Sequence, residues 1–162
     1  MTPDEIRQKL QQVKKQRLTE LDLSNPSWTP EWEKLTQIPT EVFEWEWLET
    51  LNLSWNKLTS VPKAISRLTN LSKLDLSWNQ LTSGAEFLTR LTNLSGLYLG
   101  FNALKNLPED ISSMTHLSEL DLSWNELTNL PEAITSMKNL SGLYLSWNKL
   151  TSLPEAITSM TN

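Results

Sequence analysis

The sequence predicts an α/β solenoid in which short parallel strands stack side by side, and three observations predict it. The pattern Leu-x-x-Leu-x-Leu-x-x-Asn-x-Leu begins at Leu48, Leu71, Leu94, Leu117 and Leu140, one copy every 23 residues, with a distorted copy from Leu18. A period of about 20–50 residues marks units that cannot bury an apolar face alone and stack to do so. Within each copy apolar residues alternate, as in Leu51-Asn52-Leu53, which sets leucines on one side of a strand. A helical pattern precedes the first copy and supplies the polar cap that a solenoid end needs. The expected organisation is a capping helix over 1–17, then six copies at 18–47 (with an insertion), 48–70, 71–93, 94–116, 117–139 and 140–162.

The cap is read from its ends. Thr2-Pro3-Asp4-Glu5 combines an N-cap, a proline at the first helical position and a glutamate spaced for a capping box. Ile6, Leu10 and Val13 recur at helical spacing, and Lys14, Lys15 and Arg17 gather at the C-terminal end, where cations suit the helix dipole. A helix over about residues 3–16 should lay its apolar stripe on the open end of the first copy.

Inside a copy, the strand leucines point into the core and an asparagine follows where the chain turns away from the sheet. Asn56, Asn79, Asn102, Asn125 and Asn148 hold that place, and a side-chain amide there can satisfy turn groups copy after copy. Leu58 and Val61-Pro62 bring the chain across. Ile65 and Leu68 face inward from a short helical or irregular return that the proline can start but not interrupt.

Leu117-Ser-Glu-Leu120-Asp-Leu122-Ser-Trp-Asn125-Glu-Leu127-Thr-Asn-Leu130-Pro131-Glu-Ala-Ile134-Thr-Ser-Met137-Lys-Asn139 resembles the 23-residue bacterial leucine-rich repeat. The resemblance covers about nine tenths of the chain and implies a curved horseshoe, its strands on the concave face, with protein–protein recognition as the usual role. The opening, a helix running into Leu18-Thr-Glu-Leu21-Asp-Leu23-Ser, is similar to that of cyanobacterial repeat proteins, some of which continue into a Roco-type GTPase. No GxxxxGK[ST] phosphate loop occurs here.

Composition narrows the function. The 162 residues carry 38% hydrophobic side chains, enough for a packed interior. With 14 basic against 19 acidic residues, a net charge of −5 and no basic block, neither nucleic acid nor an anionic membrane surface is an expected partner. The chain has no cysteine, which removes disulfides and thiolate metal sites and suits a reducing compartment. Met1 leads into a polar run, and no apolar stretch approaches 18 residues, so a cytoplasmic location is expected.

Places that vary between copies are free to recognise a partner. Between the two strand leucines the chain reads Asp22, Asn52, Asp75, Tyr98, Asp121, Tyr144, and two places earlier Glu20, Thr50, Lys73, Gly96, Glu119, Gly142. These side chains point away from the core. Asp75, Tyr98, Asp121 and Tyr144 are the expected binding centre for a protein or peptide, with glycines leaving both rings uncovered and an acidic surround that suits a basic ligand. Lys57, Gln80, Glu126 and Lys149 form the expected rim.

Before each ladder asparagine stands an aromatic residue: Trp55, Trp78, Phe101, Trp124 and Trp147. In register they should stack along the solenoid. A self-supporting ladder is the preferred reading, a contact strip for a partner the second one. The first copy carries seven extra residues between Leu23 and Leu35, with Trp28 and Trp32, which are expected to seal the cap rather than to protrude as an acidic-aromatic contact. Val42 and Trp45 fall at core register. Gly84-Ala85 replaces the usual Leu-Pro in the third copy and should reshape that return locally.

Catalysis is not expected. The one histidine, His116, holds the copy-end place of Asn70, Asn93, Asn139 and Asn162, and no triad or metal-ligand spacing surrounds it. No cofactor is implied. The last copy leaves Leu140, Leu143, Leu145, Leu150, Leu153, Ile157 and Met160 with neighbours expected on one side. That points to a portion of a longer repeat protein, the preferred reading, or to a homodimer through the uncapped copy. The alternative function is that of a regulatory or structural portion of a larger enzyme such as a Roco-like GTPase.

Overall fold

The computed structural model describes residues 1–159; Met160 and Asn162, expected in the last copy, lie outside the described residues. Helix α1 spans Pro3–Gln16 with the Thr2/Glu5 capping box in place. Its Leu10 and Val13 are buried and Ile6 is partly buried against the core, so the stripe read from spacing is the face that covers the first copy.

Six strands follow: β1 Glu20–Asp22, β2 Thr50–Asn52, β3 Lys73–Asp75, β4 Gly96–Tyr98, β5 Glu119–Asp121 and β6 Gly142–Tyr144. They pair in sequence order as one open parallel sheet. Leu21, Leu51, Leu74, Leu97, Leu120 and Leu143 lie directly across from one another. Each strand is only three residues long because its pattern alternates just once before the turn. The architecture is the expected horseshoe, with the sheet on the concave side and short returns on the convex side.

The returns are five-residue 3-10 turns at Thr40–Glu44, Lys63–Arg67, Glu109–Ser113, Glu132–Ser136 and Glu155–Ser159. Proline starts each one. Lacking an N–H, it stands outside the turn, while its carbonyl accepts from the residue three places on, as Pro62 does from Ile65 at 3.0 Å and Pro131 from Ile134 at 3.1 Å. That aims one isoleucine or valine per copy inward: Val42, Ile65 and Ile134 are fully buried.

The third copy departs as its sequence foretells. Helix α2, Ala85–Leu88, replaces the 3-10 turn, and Leu88 keeps its core place. Gly84 before it adopts φ +96°, and a Cβ there would stand 2.5 Å from the Val61 nitrogen.

Trp28 and Trp32 do not seal the cap. They are 83% and 85% exposed. The space they were expected to fill is closed by smaller groups: Asn25 and Thr29 are buried, and the Met1 ammonium bonds Asn25 Oδ1. Salt bridges from Glu31 to Lys34 (2.7 Å) and Lys57 (2.8 Å) pin the loop outside, and they hold the Glu31 carboxyl down to about 2.

Candidate functional site

The asparagine ladder positions everything on the sheet face. Asn125 Nδ2 donates to the carbonyls of Leu99 (2.9 Å) and Leu122 (3.1 Å), while its Oδ1 accepts from the Leu104 N–H at 3.0 Å. Asn79 and Asn102 repeat the set. The first copy joins in a way the pattern missed. Asn25 stands one place before the expected position, which Pro26 occupies, yet its Nδ2 donates to Asn56 Oδ1 at 2.7 Å. Pro26 itself has no amide to give.

Two lesser ladders run beside it. The hydroxyls of Ser72, Ser95, Ser118 and Ser141 each donate to the carbonyl 23 residues earlier. At the copy ends Asn70, Asn93 and Asn139 donate to the preceding copy. His116 does the same through Nδ1–H to the Thr92 carbonyl at 2.9 Å. It is an asparagine substitute, and the histidine thus has a framework job.

The five aromatic residues stack as expected. Ring centroids lie 4.0, 3.6, 5.1 and 4.5 Å apart from Trp55 through Trp78, Phe101 and Trp124 to Trp147, with planes within 15° of parallel. Their backbone was not foreseen: all five have φ between 54° and 59°. That left-handed conformation costs a residue with a Cβ about 1–2 kcal/mol, and glycine or asparagine takes it more readily. An interior ring recovers roughly 0.5–1.5 kcal/mol from each stacked neighbour, beyond burial. The stack therefore offsets the strain of the turn that creates it. Trp78→Gly should relieve the strain but lose two stacks, leaving the chain about 1–3 kcal/mol less stable. Trp78→Ala, still strained, should be lower by about 1 kcal/mol more. Urea unfolding midpoints measure both, and equal midpoints would remove the strain argument. The outer edge is open, with Trp78 38%, Trp124 44% and Trp147 70% exposed.

On the sheet face the predicted binding residues come together, with different partners than expected. Asp75 and Asp121 each turn one carboxylate oxygen to the serine two places on. Asp121 Oδ1 accepts from Ser123 N at 2.8 Å and from its Oγ at 2.5 Å, and Asp75 does likewise with Ser77. The recurring Asp-Leu-Ser triplet was the signal for this. Tyr98 is not uncovered. Its OH donates to Glu119 Oε2 at 2.5 Å, and Lys73 Nζ sits 5.1 Å from its ring centroid. The Glu119 bond, with burial behind it, pushes the phenol up to about 12, so it stays a neutral donor. Tyr144 remains 50% exposed. Of the rim, Lys57 is drawn to Glu31 and Lys149 to Glu126 at 3.1 Å.

A cleft of about 570 Å³ lies elsewhere, between the returns of the first two copies and lined by Phe43, Pro62 and Arg67 among others; none of the sheet-face residues enters it. Among the described residues no group of three or more metal-ligating side chains converges, and no helix is long and apolar enough to cross a membrane.

Comparison with known proteins agrees with the geometry. Leucine-rich repeat family models match residues 32–81, 113–130 and 139–160. An internalin from Listeria monocytogenes superposes with a TM-score of 0.67 at 26% identity, over 77% of this chain and 36% of the internalin chain. An LRR protein of Leptospira interrogans superposes with a TM-score of 0.64 at 31% identity, over 90% of this chain and 47% of its own. The chain thus spans less than half the length of either structure. No curated protein matches. Repeat models along the chain, two bacterial relatives in structure and the parallel six-stranded sheet lead to one conclusion: this is a leucine-rich repeat protein.

Proposed function

We propose that the chain is a non-catalytic recognition module that binds a protein or peptide through its concave sheet face, centred on Tyr98, Asp121 and Tyr144. One observation carries this reading. Of four glycines in the chain, three lie beneath those side chains. A Cβ on Gly96 would meet the Tyr98 ring at 3.2 Å, one on Gly100 the Asp121 carboxylate at 3.0 Å, and one on Gly142 the Tyr144 ring at 3.4 Å. Gly84 is the only one of the four whose φ is positive, so the backbone does not require glycine at the other three. Each costs roughly 0.5–1 kcal/mol relative to alanine, and what it supplies is room for the neighbour to lie flat. Framework needs do not explain that, because the other copies carry Glu, Thr, Lys or Ser in those rows.

Charge favours a basic ligand. Along the two outward rows stand Glu20, Asp22, Asp75, Glu119 and Asp121 against one Lys73. The reading is the same if the repeats are the recognition part of a larger protein, a Roco-type GTPase among them. A random peptide display selection against the folded chain tests it, with a Tyr98→Ala, Tyr144→Ala variant as counter-screen after circular dichroism shows it folded. Basic sequences that lose the variant are expected. Enriched peptides that bind the variant equally well would place recognition elsewhere. Sedimentation at rising concentration reports whether the partly exposed Leu143 of β6 and Leu145 just beyond it also pair two copies.

A further inference from the structure

The two tyrosines occupy equivalent places two copies apart, and the molecule treats them differently. Tyr98 lies across Gly96, and the neighbouring strand position before Gly96 is Lys73, whose ammonium rests over the ring. Tyr144 lies across Gly142 in the same way, and the position before Gly142 is Glu119. Glu119 Cγ and Tyr144 Cε2 each stand 3.4 Å from the point a Gly142 Cβ would take. Tyr98 is thus a ring with a cation already in place. Tyr144 is the same ring with a carboxylate where the cation's owner would be.

We infer that Tyr144 and Glu119, with Asp121 beside them on the same strand face, form a seat for an arginine side chain of the bound protein segment. The inference rests on the concave-face reading above and names the group that face recognises. A cation is attracted to a tyrosine face, and more so where a carboxylate shares the site. Glu119 has the means: Oε2 accepts from Tyr98, and Oε1 is left for an incoming donor. Asp121 holds Ser123 with Oδ1 and carries Oδ2 over Gly100. Two carboxylates on one strand face beside an aromatic ring suit a planar fork of N–H donors better than a point charge, which selects arginine over lysine. Asp75 is not part of the seat, since Lys73 on its own strand supplies the local cation.

The chain has only two tyrosines, so ring-13C-labelled tyrosine reports on this patch alone. The probes are blocked Gly-Gly-Arg-Gly-Gly, its lysine counterpart and its citrulline counterpart, which keeps the shape without the charge. Arginine should shift the Tyr144 ring signals at the lowest concentration, lysine at higher, citrulline least. Glu119→Gln retains an acceptor for Tyr98 and removes the charge; it should weaken arginine binding about tenfold or more. Glu119→Lys should abolish it, by placing at Tyr144 the internal cation that Tyr98 already has. Amide spectra of both variants establish that they are folded. An unshifted Tyr144 with the arginine peptide, equal shifts by citrulline, or undiminished binding by Glu119→Gln would each overturn the seat. Display-selected peptides that need both tyrosines but lack arginine would do so too, while leaving the concave-face reading standing.

Discussion

Asn125→Ala should destabilise the chain by about 2–4 kcal/mol. The residue is 7% exposed, and its loss strands the Leu104 N–H and takes one of two amide donors from each of the Leu99 and Leu122 carbonyls, which keep those of Asn102 and Asn148. A buried group left without a partner costs roughly 1–3 kcal/mol, and each further hydrogen bond lost roughly 0.5–1.5 kcal/mol. An Asn125→Asp variant separates shape from hydrogen bonding. It fits the same space and can still accept from Leu104 N–H, but it turns an oxygen toward the two carbonyls, so repulsion should take it nearly as far as alanine. Urea denaturation of the three proteins is the measurement. An aspartate as stable as the wild type would show that the ladder amide is a space-filler.

Gly84→Ala should cost about 2–4 kcal/mol, from left-handed strain and overpacking together. The clash is with the Val61 backbone, 2.5 Å from nitrogen and 2.6 Å from oxygen, which cannot swing aside as a side chain can. Ala64→Gly, inside the neighbouring return and not at positive φ, serves as a control for a change of one methyl group without that strain. A shift in urea midpoint for Gly84→Ala no greater than for the control would mean that the α2 loop yields.

Much of this was legible because the repeats align themselves. The leucines of every strand, the ladder asparagines, the capping helix and the aromatic stack all follow from residues recurring at fixed offsets, where one physical reason serves each copy. Most of what escaped lies where copies differ. Trp28 and Trp32 were expected inside because large apolar groups gain most from burial, but that gain requires a space. Here Asn25, Thr29 and the chain's own ammonium had closed it with polar contacts that have no periodic signature. Lys73 on Tyr98 and Glu119 on its hydroxyl join residues 25 and 21 apart in sequence. Only the register of adjacent strands reveals that these are neighbours. The left-handed backbone beneath the indoles was also invisible, since nothing in a tryptophan announces a positive φ.

The ladder bonds have a consequence for how such a gene can change. Each one joins a copy to the next, over 21 residues from Leu58 to Asn79, 23 from Ser72 to Glu49, 24 from Asn93 to Thr69 and 26 from Asn79 to Leu53. Duplication or deletion of 23 codons restores every such bond at the new junction, so unequal recombination leaves the framework intact. The patch proposed for recognition has no such tolerance. Lys73, Tyr98, Glu119 and Tyr144 sit on four consecutive strands, and inserting one copy among them would part ring from cation or ring from carboxylate. Length can therefore drift by whole units while the proposed patch changes by single substitutions, and the two kinds of variation fall on different stretches of the same repeat array.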